Sequence, residues 1–130
     1  MDLSTLQASL AVAVGGALGS LARYWLGLLV AGGALPWGTI AANVSGSLLI
    51  GLAAGGIGVG PRPALGETAR LFLTVGFCGG YTTFSSFSLQ TVSLVQAGRH
   101  GLALANVLLS VLSCLAATGA GLAAGAALTR

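Results

Sequence analysis

The chain has 130 residues, of which 55% are hydrophobic and only 5% charged, with a formal charge of +3. Soluble domains carry roughly a quarter charged residues, so a mean hydropathy of +0.97 excludes an ordinary soluble fold and points to an integral membrane protein. So few basic side chains make no nucleic-acid footprint, and four spans of ~20 apolar residues each leave no length for a soluble domain.

Met1-Asp2 opens the chain without the basic run of a signal peptide, and the apolar stretch that follows outlasts a signal sequence. The first span is expected over residues 6–30. Gly15, Gly19 and Gly27 share one of its faces, and small residues at helical spacing let backbones approach closely in lipid, where apolar burial cannot drive association. Arg23 falls late in this span. It either snorkels to the interface or gives an aqueous vestibule a positive potential. Gly32-Gly33-Ala34-Leu35-Pro36 then predicts a turn.

Pro36-Trp37 looks like an interfacial start for the second span, residues 39–59, since Trp favours the headgroup level. Thr39, Asn43 and Ser47 follow one another at i+4 and draw a polar stripe, with Gly51 and Gly55 at close-packing spacing. The span fades into Gly55-Gly56-Ile57-Gly58 and is closed by Pro61-Arg62-Pro63.

The third span, residues 68–96, contains Gly-Gly-Tyr-Thr-Thr-Phe-Ser-Ser-Phe-Ser at positions 79–88. Two glycines and a run of hydroxyls are poor helix formers, and lipid offers no water to a loosened backbone. A helix break at Gly79-Gly80, followed by Thr82-Thr83, is therefore expected where the chain is buried in protein or lines an aqueous path. Phe84 and Phe87, three apart, share the face that follows. The alternative is a Gly/Ser packing seam with two lipid-facing rings.

Gly98-Arg99-His100-Gly101 predicts a short turn, with His100 solvated, into a fourth span over residues 101–128. There Asn106, Ser110, Cys114 and Thr118 repeat the i+4 stripe, flanked by Ser113. For any single serine interhelical hydrogen bonding is the plainer account, but four polar positions in register favour a wetted track. Cys78 and Cys114 lie inside spans with no zinc-ligand spacing and read as small apolar packers.

The only acids are Asp2 and Glu67, both outside the spans. A proton-coupled or cation-exporting carrier normally needs a carboxylate within the membrane, which argues against a small multidrug-type exporter. No general base, metal cluster or nucleophile–histidine pair is present for an enzyme. Uncharged donors together with Arg23 point to an anion path. Four thin helices enclose little interior, so a site between two copies of the chain, a homodimer, is favoured.

Taken together, Gly-x-x-x-Gly-x-x-x-Arg from Gly15 to Arg23, Pro36-Trp37-Gly38-Thr39 followed by Asn43, the run at 79–88 and the stripe from Ser110 to Thr118 resemble the Fluc/CrcB family of fluoride channels over essentially the whole chain. Departures fall at Gln90, where many relatives carry Glu, at Asn106, where some carry Tyr, and at Cys114, where some carry Ser. The resemblance implies an all-α membrane protein with four transmembrane helices, the third broken mid-membrane, assembled as a dual-topology antiparallel homodimer with two pores at its interface. It implies that Phe84 and Phe87 line the pore edge-on to fluoride and that Asn43 donates to the ion. Ser110 and Thr118 would belong to the polar track, and Arg23, with Thr39, to a vestibule. The carbonyls of Gly79 and Thr82 would hold a central structural sodium ion that is not transported.

The expected role is passive export of cytoplasmic fluoride across the cell membrane (the inner membrane in a two-membrane cell), by a multi-pass protein whose partners are fluoride, lipid and a second copy, and not nucleic acid. Arg62, Arg70 and Arg130 on one side against Arg99 on the other give only a slight positive-inside bias. Two other classes stay open: a small carrier, either a fluoride/proton antiporter or a drug exporter, and a non-transporting membrane subunit.

Overall fold

The computed structural model describes residues 3–57 and 65–128, and every regular element among them is helical. Asp2, Arg62 and Arg130, with Pro61 and Pro63, lie outside the described residues. In chain order the elements are α1 (Leu3–Leu29), α2 (Trp37–Leu52) continuing into a π-helical turn, π1 (Ala53–Ile57), then α3 (Glu67–Leu71), a second π-helical stretch, π2 (Phe72–Cys78), α4 (Gly79–Tyr81), α5 (Phe84–Gln96) and α6 (His100–Leu128). Three helices are long and apolar enough to cross a membrane: Ser4–Leu29, Trp37–Gly56 and His100–Leu128.

The connections follow from local chemistry. Gly32 and Gly33 take φ of +119° and +91°, a region closed to most side chains, and so turn the chain between α1 and α2. Pro36 caps α2, its carbonyl accepting from Ile40 N–H at 3.1 Å. Gly98, at φ +71°, ends α5 by letting Arg99 N–H reach back to the Leu94 carbonyl at 2.9 Å.

Apolar side chains point outward and the interior is narrow. Leu10, Leu29, Leu112 and Leu115 are all more than half exposed, while Asn106 and Ser110 are buried. That inversion suits a lipid solvent, which leaves apolar surface uncovered at no cost and penalises polar groups.

Two glycine seams tie the elements together. α1 packs along π2 and α4, where Gly15 meets Gly76 and Phe77 backbone and Gly16 meets Gly80. α2 and π1 pack along α6, with Gly51 against Gly121 and Gly55 against Leu122 and Gly125. At each of these glycines except Gly16 a methyl group would collide with backbone, not with a side chain that can swing aside. Gly27, expected on the same face as Gly15 and Gly19, abuts Gly38 of α2 instead.

The third span differs from its expected form in one respect. Gly79 and Gly80 are helical, with φ of −63° and ψ of −39° at Gly79. The helix is interrupted at Thr82 (φ −87°, ψ 159°) and Thr83 (φ −154°, ψ 114°). The glycine pair permits close approach, Gly80 lying against Gly16, whereas the threonines make the break. Thr83 is an N-cap, its hydroxyl accepting from Ser86 N–H at 3.2 Å, and an N-cap residue adopts extended backbone.

These seams set an expectation for substitutions. Gly121→Ala places a methyl against the Leu48 carbonyl and Leu52 N–H and should destabilise the protein by about 1–3 kcal/mol. Gly101→Ala, where a methyl meets nothing within 4 Å, should leave the midpoint unchanged or slightly raised. Thermal unfolding in detergent compares the two, and equal midpoints would show that the α2–α6 seam is not close-packed.

Candidate functional site

The break at Thr82–Thr83 is spliced by side chains from two neighbouring helices. From α2, Asn43 Nδ2 donates to the Thr83 carbonyl at 3.0 Å, and Asn43 Oδ1 accepts from Thr83 N–H at 2.7 Å. One amide thus satisfies both backbone groups of an extended residue, as a neighbouring strand would. Gly46, one turn further along the same face, leaves room for the Thr82 methyl. From α1, Arg23 Nε donates to the Gly80 carbonyl at 3.2 Å.

The splices decide which carbonyls are left over. In an unbroken helix Gly79 would accept from Thr83 N–H, but that donor is taken by Asn43. Thr82 would accept from Ser86 N–H, which goes to Thr83 Oγ1. Cys78, in contrast, accepts from both Thr82 N–H and Thr82 Oγ1, each at 2.9 Å. Gly79 itself is exposed, with open space where a side chain would be.

A cavity of about 340 Å³ opens beside the break. Asn43, Ser47, Thr82, Phe84, Phe87 and Ser110 reach it from α2, the break, α5 and α6. Its walls also include Gly79, Cys78 and Cys114. No charged side chain lines it among the described residues. The Phe84 and Phe87 rings lie 5.4 Å apart at 45°; Phe87 is buried, whereas Phe84 is 77% exposed. Asn43 keeps one amide hydrogen beyond its two bonds to Thr83.

Arg23 and Thr39 belong to a second cavity of about 430 Å³, with Tyr24, Trp37, Ser86 and Gln90 among its walls. Gln90 Oε1 is buried there and has no hydrogen-bond partner among the described residues. The α2 stripe therefore runs from one cavity to the other, Thr39 in the second, Asn43 and Ser47 in the first. The α6 stripe divides differently. Ser110 and Cys114 line the first cavity, but Thr118 is not among its walls, and the Thr118 carbonyl lies against Gly51 in the α2–α6 seam.

Two links in the site lie outside the polar stripes, the first being the α5 partner of Asn106. Asn106, fully buried, donates to Thr91 Oγ1 at 2.8 Å, and Thr91 in turn donates to the Phe87 carbonyl at 2.8 Å. Ser110 Oγ donates to Asn106 Oδ1 at 3.4 Å. This chain of bonds fixes the helix that carries Phe87 against the helix that carries Ser110. The other is Ser45, whose hydroxyl meets Tyr81 Oη at 2.9 Å and ties the end of α4 to α2. The α6 stripe marks Asn106 but not its partner Thr91; Tyr81 and Ser45, 36 residues apart, carry no signal for each other.

The Asn43 splice predicts a stability effect separate from any transport. Asn43→Leu keeps the volume roughly but leaves the Thr83 N–H and carbonyl without their amide partner, and should cost about 2 kcal/mol or more. Thermal unfolding in detergent measures it. A midpoint equal to that of the parent would show that the break holds without the amide.

Residues 10–122 match the family model described as CrcB-like protein, Camphor Resistance (CrcB). Similar curated proteins include a fluoride-specific ion channel FluC of Rhodospirillum rubrum, 54% identical over 107 residues, which cover 80% of this chain and 83% of that one. The fluoride-specific ion channel FluC of Methylocella silvestris is 50% identical over 113 residues, 85% of this chain and 86% of its own. That of Geobacter sulfurreducens is 48% identical over 119 residues, 88% and 94%. With the match running through α1, the break and most of α6, the chain belongs to the CrcB family.

Proposed function

We propose that this protein is a fluoride-selective channel of the cell membrane, a multi-pass transporter and not an enzyme, which lets cytoplasmic fluoride run out down its electrochemical gradient. The observation that carries the reading is the first cavity, where Asn43, Ser110 and the Phe84–Phe87 pair converge with no fixed charge among the described lining residues. Fluoride is small and strongly hydrated, so a selective path must replace its water with hydrogen-bond donors. Neutral donors do so without a cation that would hold the ion too tightly to release. The spare amide hydrogen of Asn43 and the Ser110 hydroxyl, which can turn from Asn106, are such donors. A phenyl ring has a positive edge and a negative face, so rings presented edge-on admit a small anion and narrow the passage against chloride. Names borne by relatives at 48–54% identity agree with this chemistry.

In this reading the helical elements make four transmembrane passes, the third being α3, π2, α4 and α5 with its interruption at membrane depth. Two copies pack antiparallel, each contributing to two pores. The open surface at Gly79 supports a partner on that side, since its carbonyl, whose helical donor is diverted to Asn43, would otherwise face lipid. Thr118 would extend the polar track beyond Cys114, and Arg23 with Thr39 would form the vestibule.

The residues at the break also fit a hard cation. The Gly79 and Thr82 carbonyls, whose helical donors are diverted to Asn43 and Thr83, are backbone oxygens of the kind such ions take. Two from each of two copies would hold a structural sodium ion at the interface, where it would neutralise carbonyl dipoles that lipid cannot solvate. The chain's own contribution is the splice that diverts the helical donors of those two oxygens.

Proteoliposomes loaded with fluoride or chloride and read by ion-selective electrodes test the function. Rapid fluoride efflux with little chloride efflux is expected, with no partner protein added. Phe87→Ile, which keeps apolar bulk and removes the polarised ring edge, should cut flux at least ~10-fold while the dimer still assembles. Asn43→Asp, placing a carboxylate against the Thr83 carbonyl, should abolish it. Parent-like fluoride flux in both variants would place the path elsewhere in the protein.

A further inference from the structure

We propose that Arg23 is a positioning residue whose Nε–H holds the Gly80 carbonyl and thereby sets the α4 turn in which Gly79 and Thr82 present their oxygens. Gly16, Ser20 and Arg23 stand at i, i+4 and i+7 on α1 and form one stripe facing α4. Gly16 admits Gly80 backbone to contact. Ser20 Oγ lies 3.5 Å and Arg23 Nε 3.2 Å from the Gly80 oxygen. Side chains on a helix lean toward its N-terminus, so a long residue two turns beyond Gly16 reaches back to the level where Gly80 lies. An arginine within a span normally finds its partner among carbonyls when no carboxylate is at hand. Among the described residues the one acid, Glu67, sits at the start of α3, and none lies beside Arg23.

The position of the bond matters more than the charge. Three carbonyls in succession lie at the start of the break, those of Cys78, Gly79 and Gly80. Cys78 is saturated by Thr82 and Gly80 is held by Arg23. A guanidinium on a carbonyl repels a cation from it and holds its peptide plane; Gly79, one peptide earlier, is left to the open face. With two adjacent glycines the turn is otherwise loosely determined. Arg23 thus does for the α4 side of the interruption what Asn43 does for the α5 side.

Three substitutions separate the bond from the charge. In glutamine, Nε2 hangs from Cδ as arginine Nε does, so Arg23→Gln keeps the donor and removes the charge. Arg23→Lys keeps the charge and places a methylene where the donor stood. Arg23→Met removes both. The first readout is deuterium uptake by the peptide covering residues 78–88 of the reconstituted protein in sodium-free buffer. Arg23→Met should speed exchange at Thr82 and Thr83 about 10-fold or more, as loss of a charge-assisted hydrogen bond allows. Arg23→Gln should stay within ~2-fold of the parent, and Arg23→Lys should follow Arg23→Met.

The second readout, the sodium concentration at the midpoint of thermal stabilisation, rests on the cation site proposed above. It should rise ~10-fold in Arg23→Met and Arg23→Lys and stay near the parent in Arg23→Gln. Parent-like uptake in Arg23→Met would overturn the inference. So would Arg23→Lys behaving as the parent while Arg23→Gln follows Arg23→Met, since that pattern assigns the role to charge alone. Should Arg23→Met fail to assemble, the comparison of glutamine with lysine decides. A parent with no sodium stabilisation would refute the cation site, leaving the uptake series to judge Arg23 by itself.

Discussion

The two extended residues between α4 and α5 are held by the Asn43 amide, which meets both backbone groups of Thr83. Each unsatisfied group in hydrocarbon costs several kcal/mol, more than the local preference of any threonine for extended backbone. Once that pair is in place, the rest of the site follows. Thr83 N–H is withdrawn from Gly79 and the Thr83 hydroxyl starts α5, so Phe84 and Phe87 emerge in fixed register beside the same asparagine that directs them.

Dry and polar contacts are kept apart in the structure. The seams of α1 with π2 and α4, and of α2 with α6, are glycine against backbone, where dispersion at close range substitutes for an absent hydrophobic effect. The polar side chains gather on the remaining inner faces, around the two cavities. Asn106 joins the regimes: buried completely, it spends its amide on Thr91 and Ser110 and so locks α5 to α6 where no glycine seam exists. Satisfied networks of this kind rigidify a site at little cost, since every member has a partner.

Much of this was legible in the sequence, and the exceptions have physical causes. Hydropathy and turn glycines announced helices and connections because lipid imposes a single rule along the whole chain. Gly32, Gly33 and Gly98 were read as turns and adopt positive φ. The interruption was placed at Gly79-Gly80 on helix propensity, a scale measured in water. In lipid an intrahelical bond has no competitor, so glycine stays helical and the break falls at Thr82–Thr83, where a distant amide offers equal bonds. Asn43, Phe84, Phe87 and Ser110 were singled out by type and spacing and converge on one cavity. The Gly80–Arg23 and Thr83–Asn43 bonds span 57 and 40 residues, a separation no local pattern encodes. Thr118 keeps the i+4 register of its stripe while its backbone carbonyl lies in the α2–α6 seam.

The π-helical stretch Phe72–Cys78 lies immediately before Gly79, and its effect is on phase. A π turn closes its hydrogen-bonded ring over one residue more than an α turn, so π2 lags behind an α-helix of the same length. Winding the same residues as α-helix would release the extra residue that the wider turns take up. Everything downstream would then rotate by ~100° against α1, turning Gly79 and Thr82 off the open face and Gly80 away from Gly16. The constraint on π2 therefore falls on its winding and its residue count taken together, not on either alone. What this segment supplies is an angle of presentation more than a set of side chains.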